Sequence, residues 1–374
     1  MALQARLEAQ APRPRARPIL GGVLARGESA ASRALRIAAH RDDTGARRAR
    51  WTEGASRRRL ERFKSRMPAL RPSASTLSST EVAASLIMHL KPEEWQALRA
   101  LERCTLGKAT TSAESIAKVS GQPLDRVVFG LSELNKRRLV GSGRTYEMYG
   151  PAVDLLALKF YADKDYAHAL GKLIAKGKES DVYEVLSGKG DLYALKLFRL
   201  GRTSFRDVAR KRHASPRQLN TWLDVNYEAA RREFNALTRL REATKNVPVA
   251  VATNRHTVLL EELPGVRLAT RPELVDAEDV LRRVVETVRD VYQGQGMING
   301  DLSEYNILTD GERVWLIDWP QWVGRDHPNA RELMARDLGA VARFFARGYG
   351  VAADRDELVR FVAGTGPFPQ LRTG

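Results

Sequence analysis

The sequence predicts a mixed α/β protein of two lobes, preceded by a small helical unit, and three observations carry that prediction. Between Leu173 and Phe198 the pattern becomes strand–turn–strand, and a lysine, Lys196, stands inside the apolar run Leu195-Lys196-Leu197-Phe198. Further on, Asp301 and Asn306 stand five residues apart, and the apolar run Val314-Trp315-Leu316-Ile317 ends on Asp318. Before both, roughly from residue 85 to 150, short amphipathic segments of helical period close on a hairpin signal.

Length and composition set outer bounds. The chain has 374 residues, of which 43% are hydrophobic, enough for two cores. One cysteine, Cys104, excludes an internal disulfide framework and points to a reducing, cytoplasmic setting. The six histidines have no zinc-ligand spacing, and no apolar run approaches the roughly 20 residues that span a bilayer. The net charge of +17 is uneven: residues 1–72 hold 18 Lys+Arg against 6 Asp+Glu, a net of +12, which leaves +5 for the rest. Residues 1–80 are rich in Ala, Arg, Pro and Ser without sustained apolar period, and such a segment is expected to be disordered. A basic arm on nucleic acid, a transit peptide, or a true start at Met67 or Met88 would each account for it.

Within residues 81–150, Pro92 opens a helix bearing Trp95, Leu98 and Leu101. Thr111-Ser112-Ala113-Glu114 reads as a capping box for a second helix that ends near Gly121. A third helix starts near Pro123, presents Val127, Val128, Leu131 and Leu134, and closes on Lys136, Arg137 and Arg138. The hairpin Leu139–Tyr149 turns at Gly141-Ser142-Gly143. Three helices and a hairpin make a winged helix-turn-helix, with Lys136, Arg137 and Arg138 as candidate nucleic-acid contacts; a protein-interaction module is the other reading of the same pattern. A linker helix follows over 151–170.

The stretch 171–263 reads as a nucleotide-binding lobe. Gly177-Lys178-Glu179-Ser180 lies between apolar strands, where backbone N–H groups, the Ser180 hydroxyl and the Lys178 charge can cradle phosphates. A buried lysine needs a partner, and Lys196 is expected to face the ATP phosphates and pair with Glu233, or less plausibly Glu228, on a helix downstream. Gly201 to about Asn226 is polar and basic and reads as a mobile loop over the site. The strand ending at Glu261, followed by Leu263, reads as a hinge whose backbone binds an adenine edge.

Residues 264–374 carry the chemistry. An Asp, an Asn five residues on, and a strand-terminal Asp fit phosphoryl transfer from Mg-ATP. Asp301 would orient the attacking group or take its proton, while Asn306 and Asp318 supply the oxygens that magnesium prefers. Trp319 and Trp322 read as packing residues, and Arg336-Asp337 as a structural ion pair.

With these residues in place, the chain resembles the RIO family of atypical protein kinases, in the subfamily with an amino-terminal winged helix. The stretches that carry the resemblance are Gly177–Tyr183, Leu195-Lys196-Leu197 with Arg199–Arg206, Gly300–Ser303 with Tyr305-Asn306, Ile317-Asp318 with Pro320-Gln321, and Arg336-Asp337-Leu338. The resemblance implies a compact bilobal kinase-like fold, ATP and Mg2+ as cofactors, and a serine/threonine kinase or ATPase that acts on a precursor of the small ribosomal subunit and its rRNA. It also implies that Asp318 can itself accept the phosphoryl group. Only 56 residues follow Asp318, too few for the helices on which ordinary protein kinases dock peptides. Three positions depart from the family pattern. Ala175 stands where glycine is usual, Asn299 where histidine is usual, and Trp319 where phenylalanine is usual. A small-molecule phosphotransferase of the aminoglycoside or choline kinase type, and an RNA-binding scaffold that uses ATP only as a conformational ligand, are the alternatives.

Overall fold

The computed structural model describes residues 77–141, 143–200 and 221–373. The disorder expected over residues 1–80 therefore lies almost wholly outside the described residues, as does the loop expected after Gly201 as far as Asn220.

The described chain opens on a helix that sequence reading did not assign, α1 (Ser79–Leu86). Its start is a capping box: the Ser78 hydroxyl accepts from Glu81 N–H, and the Glu81 carboxylate accepts from Ser78 N–H at 2.8 Å. Helix α2 (Pro92–Thr105) begins on the proline at its first turn, as expected, and Glu94 accepts from Lys91 N–H at 2.7 Å. Helix α3 (Ala113–Ser120) ends at Gly121, whose φ of +69° is the left-handed geometry that suits glycine. Its cap is Ser112 rather than Thr111: Ser112 accepts from Ser115 N–H, whereas Thr111 is drawn into a bridge with Tyr146. Helix α4 (Leu124–Lys136) buries Val127, Leu131 and Leu134. Val128, expected to face inward, is instead 42% exposed, because the inward stripe runs through Val127 and Gly130. Strands β1 (Val140–Gly141) and β2 (Glu147–Met148) pair as the hairpin, and α5 (Gly150–Asp163) follows, buried along most of its length and packed on α1.

The next lobe is an antiparallel sheet of β3 (Ala169–Lys176), β4 (Ser180–Leu186), β5 (Leu192–Phe198), β6 (Ala250–Asn254) and β7 (Thr257–Glu261), in the order β3-β4-β5-β7-β6. Helix α6 (Trp222–Ala243) packs on it. Here the loop expected to run to Asn226 gives way to helix at Trp222. Thr221 caps this helix, accepting from Asp224 N–H, while the Asp224 carboxylate accepts from Thr221 N–H. Leu98, Leu101, Leu131 and Leu134 of the first unit share one apolar core with Tyr183, Val185, Leu195, Leu197 and Leu259 of the sheet.

A short strand β8 (Val266–Arg267) leads to α7 (Ala277–Gln295), β9 (Met297–Ile298), β10 (Ile307–Thr309), β11 (Val314–Leu316) and β12 (Val323–Gly324). Helices α8 (Ala330–Tyr349) and α9 (Arg355–Ala363) follow Asp318 and close a second core with α7. Among the described residues no helix is long and apolar enough to cross a membrane.

Candidate active site

Lys196 sits on β5, the middle strand of the five, so an edge lysine reaching for water is excluded. Its Nζ donates to Glu233 Oε1 and Oε2 at 2.8 and 2.6 Å and to Asp318 Oδ1 at 2.7 Å. Glu228, the alternative partner, pairs with Arg231 at the surface. Burial opposes the charge on Lys196, but the carboxylates of Asp318 and Glu233 outweigh it and hold the ammonium above the ordinary lysine range. Burial, with Asp318 adding to it, pushes the Glu233 carboxyl upward. Two carboxylates therefore share one ammonium, and the site carries a surplus of negative charge that a divalent cation would neutralise.

Two turns bring the rest together. Asp318 follows β11 with a φ of +66°, a left-handed conformation that aspartate tolerates better than most side chains, and its carboxylate is 41% exposed. Asp301, which is exposed, lies in the turn between β9 and β10. Asn299, 5% exposed, joins the two turns: its Nδ2 donates to Asp318 O at 3.0 Å and its Oδ1 accepts from Asp301 N–H at 3.1 Å. The position that departs from the family pattern is thus the strap between the two acidic residues. Asn306 Nδ2 donates to Asp301 O at 2.9 Å, which leaves its Oδ1 to face elsewhere. One carboxylate and one amide oxygen fit magnesium, which binds through few protein ligands and keeps several waters. Asn306 and Asp318 are the residues that would hold it.

Asp337, read from sequence as half of a structural ion pair, is 3% exposed and accepts from Gly300 N–H at 2.8 Å. Arg336 lies 3.5 Å from it and donates to Gly300 O. The pair thus clamps the catalytic turn from behind. Burial raises the Asp337 carboxyl to about 6, against the backbone N–H of Gly300 and the charge of Arg336. Because this value lies above the ordinary aspartate value of about 4, the native state holds the proton more tightly than the unfolded chain. The stability it contributes is fully present below about pH 4 and is lost as pH rises through about 6, by about 3 kcal/mol at most. Chemical denaturation between pH 4 and 7.5 should show wild type losing stability relative to Asp337→Asn, and parallel curves would remove the effect.

The other predicted residues take the following places. Lys178 is exposed in the β3–β4 turn, which Gly177 N–H closes on Ser180 O at 2.8 Å, and Ser180 opens β4. Ala175 lies beside an irregularity in the β3–β4 register. Glu261 ends β7 with its N–H donating to Val249 O at 3.0 Å, and Leu263 is half-buried beyond it. Trp319 is 1% exposed and donates to Leu316 O at 2.9 Å, while Arg232 and Arg239 stack on Trp322. Lys136, Arg137 and Arg138 stand apart on the first unit. Lys136 pairs with Glu133 and Arg137 with Glu94, and Arg138 is exposed with a φ of +57°.

The family model of the RIO domain matches residues 181–358, a span that contains Lys196, Glu233, Asp301, Asn306 and Asp318. The RIO-type serine/threonine-protein kinase Rio2 of Methanocaldococcus jannaschii is 34% identical over 247 residues, 63% of this chain and 89% of that one. The chain belongs to the RIO kinase family. The serine/threonine-protein kinase RIO2 of Caenorhabditis elegans is 32% identical over 274 residues, 71% of this chain; the chain spans about half (51%) of that relative's length. The crystal structure of the Rio2 kinase from Chaetomium thermophilum in an ADP/Mg2+-phosphoaspartate complex superposes with a TM-score of 0.65 at 27% identity, covering 75% of this chain and 88% of that one. As a RIO kinase the chain has a kinase-like fold.

Replacing Lys196 with methionine should cost about 3 kcal/mol in stability, since it strands the buried Glu233 carboxylate. Lys196→Met/Glu233→Gln should recover part of that loss, and additive losses in denaturant titrations would deny the coupling.

Proposed function

We propose that this RIO kinase works as a slow Mg-ATP-dependent phosphoryl-transfer switch, with Asp318 as the residue that takes the γ-phosphoryl group, in maturation of the small ribosomal subunit. The observation that carries this is the triad of contacts around Lys196, which ties a half-buried, left-handed Asp318 to a buried Glu233. The phosphoaspartate of the Chaetomium thermophilum relative supports it. In the step envisaged, an Asp318 carboxylate oxygen attacks the γ-phosphorus, the bond to the β–γ bridging oxygen breaks, and ADP leaves. Lys196 offsets charge on the phosphates. Water then attacks the acyl phosphate with Asp301 accepting its proton, releasing inorganic phosphate and restoring the carboxylate. Magnesium, when bound by Asn306 and Asp318, supplies further neutralisation of phosphate charge. Lys178 and Ser180 would contact phosphates, and backbone groups at Glu261 and Leu263 the adenine.

The partner we propose is a precursor particle of the small subunit in the cytoplasm, engaged in part through the three-helix and hairpin unit, which we take as a winged helix, and its Lys136–Arg138 end. Two assays test these readings. Protein incubated with Mg-[γ-32P]ATP should gain a label that hydroxylamine removes, as it does an acyl phosphate; a hydroxylamine-stable label would place the phosphate on a hydroxyl instead. Affinity purification should recover small-subunit rRNA and ribosomal proteins, and recovery of neither would favour a small-molecule phosphotransferase.

A further inference from the structure

Arg199 directly follows β5, the sheet strand that carries Lys196, and it is 7% exposed. Its guanidinium grips Asp154 of α5 with both terminal nitrogens, at 2.6 and 2.7 Å. Nη2 also donates to Thr80 of α1 at 2.8 Å, and Nε to Asp181 at 3.1 Å. The Arg199 backbone N–H donates to Glu179 O at 2.6 Å. One residue thus holds the chain on both sides of Ser180, by main chain at 179 and by side chain at 181.

The anchor lies outside the kinase sheet. Asp154 is fully buried, and besides Arg199 it accepts from Ser79 Oγ at 2.6 Å and from Thr80 Oγ1 at 3.1 Å, and lies 2.8 Å from His256 Nε2. Ser78 in turn accepts from the Tyr183 hydroxyl on β4 at 2.8 Å. Burial opposes the charge on Asp154, yet Arg199 beside it holds its carboxyl well below the usual carboxylate range. The planar fork of arginine suits this double grip, and a lysine ammonium cannot reproduce it. Neither Arg199 nor Asp154 touches Lys196, Asp301 or Asp318 in any contact described, so the phosphoryl-transfer step leaves the cluster unused.

The geometry points to Arg199 as a positioning residue for the ATP phosphates, which sets the Gly177–Ser180 hairpin from an anchor on α1 and α5. This rests on the reading that this hairpin cradles phosphates. A consequence is that docking of the first turn of α1 is felt at the hairpin through Thr80, Asp154 and Arg199.

The test uses the full chain and calorimetric titration with Mg-ATP and with AMP, which lacks the β- and γ-phosphates. In Arg199→Lys, Mg-ATP affinity should fall roughly tenfold, the scale of one charge-assisted hydrogen-bonded pair, with AMP affinity within about twofold. In Thr80→Val, close in shape and milder for folding, the loss should have the same pattern and be about threefold. Equal losses for ATP and AMP would make Arg199 merely structural and overturn the inference, as would unchanged ATP affinity in both variants. Wild type that binds AMP and Mg-ATP alike would overturn the phosphate-hairpin reading itself, an outcome distinct from the other two.

Discussion

Asp301→Ala is expected to lower steady-state ATP turnover by about 10³-fold, the scale of a lost general base, while nucleotide affinity stays within a few-fold. The Asp301 main chain makes two bonds that hold its turn: its N–H donates to Asn299 Oδ1 and its carbonyl accepts from Asn306 Nδ2. Alanine keeps both. The side chain is exposed, so stability should change by no more than about 0.5 kcal/mol. A drop in phosphate release without a drop in melting temperature is the expected pair of results. Unchanged release would remove Asp301 from the chemistry.

Much of this site was legible because its chemistry demands unusual residues in fixed order. A lysine inside an apolar strand has to be paired, and the structure supplies Glu233 across the helix that packs on that strand. The five-residue step from Asp301 to Asn306 is a turn, closed by the amide of one on the carbonyl of the other. What the sequence names without showing its partners shares a different character. Asn299 and Asp337 act through long-range contacts to main-chain atoms, and nothing local marks a side chain whose partner lies 19 or 37 residues away. Arg199 reads from sequence only as part of a motif, because its role depends on Asp154, 45 residues upstream. The first helix, by contrast, carries a local capping signal in Ser78 and Glu81. Thr221 and Asp224 carried the same signal inside a stretch read as loop. Val128 shows the limit of periodicity: the inward stripe of its helix runs through Val127, Gly130, Leu131 and Leu134 and leaves Val128 42% exposed.

Asp318→Asn should separate metal holding and phosphoryl acceptance from architecture. Asparagine tolerates the left-handed backbone as aspartate does, keeps the carbonyl that Asn299 binds, and still offers an oxygen to Lys196. What it loses is the charge. Lys196 then answers to Glu233 alone, and the surplus negative charge that would draw magnesium into the site is gone. Several kcal/mol of charge stabilisation at the phosphoryl group are at stake, so turnover should fall by about 10²- to 10³-fold, and magnesium should no longer strengthen ATP binding in a titration. The contrast with Asp301→Ala is the decisive part. If Asp318 is the acceptor and Asp301 serves the water step, Asp301→Ala should still take up hydroxylamine-sensitive label and release it slowly, whereas Asp318→Asn should take up none. Label retained in Asp318→Asn would move the acceptor to another residue while leaving the magnesium argument standing on its own titration.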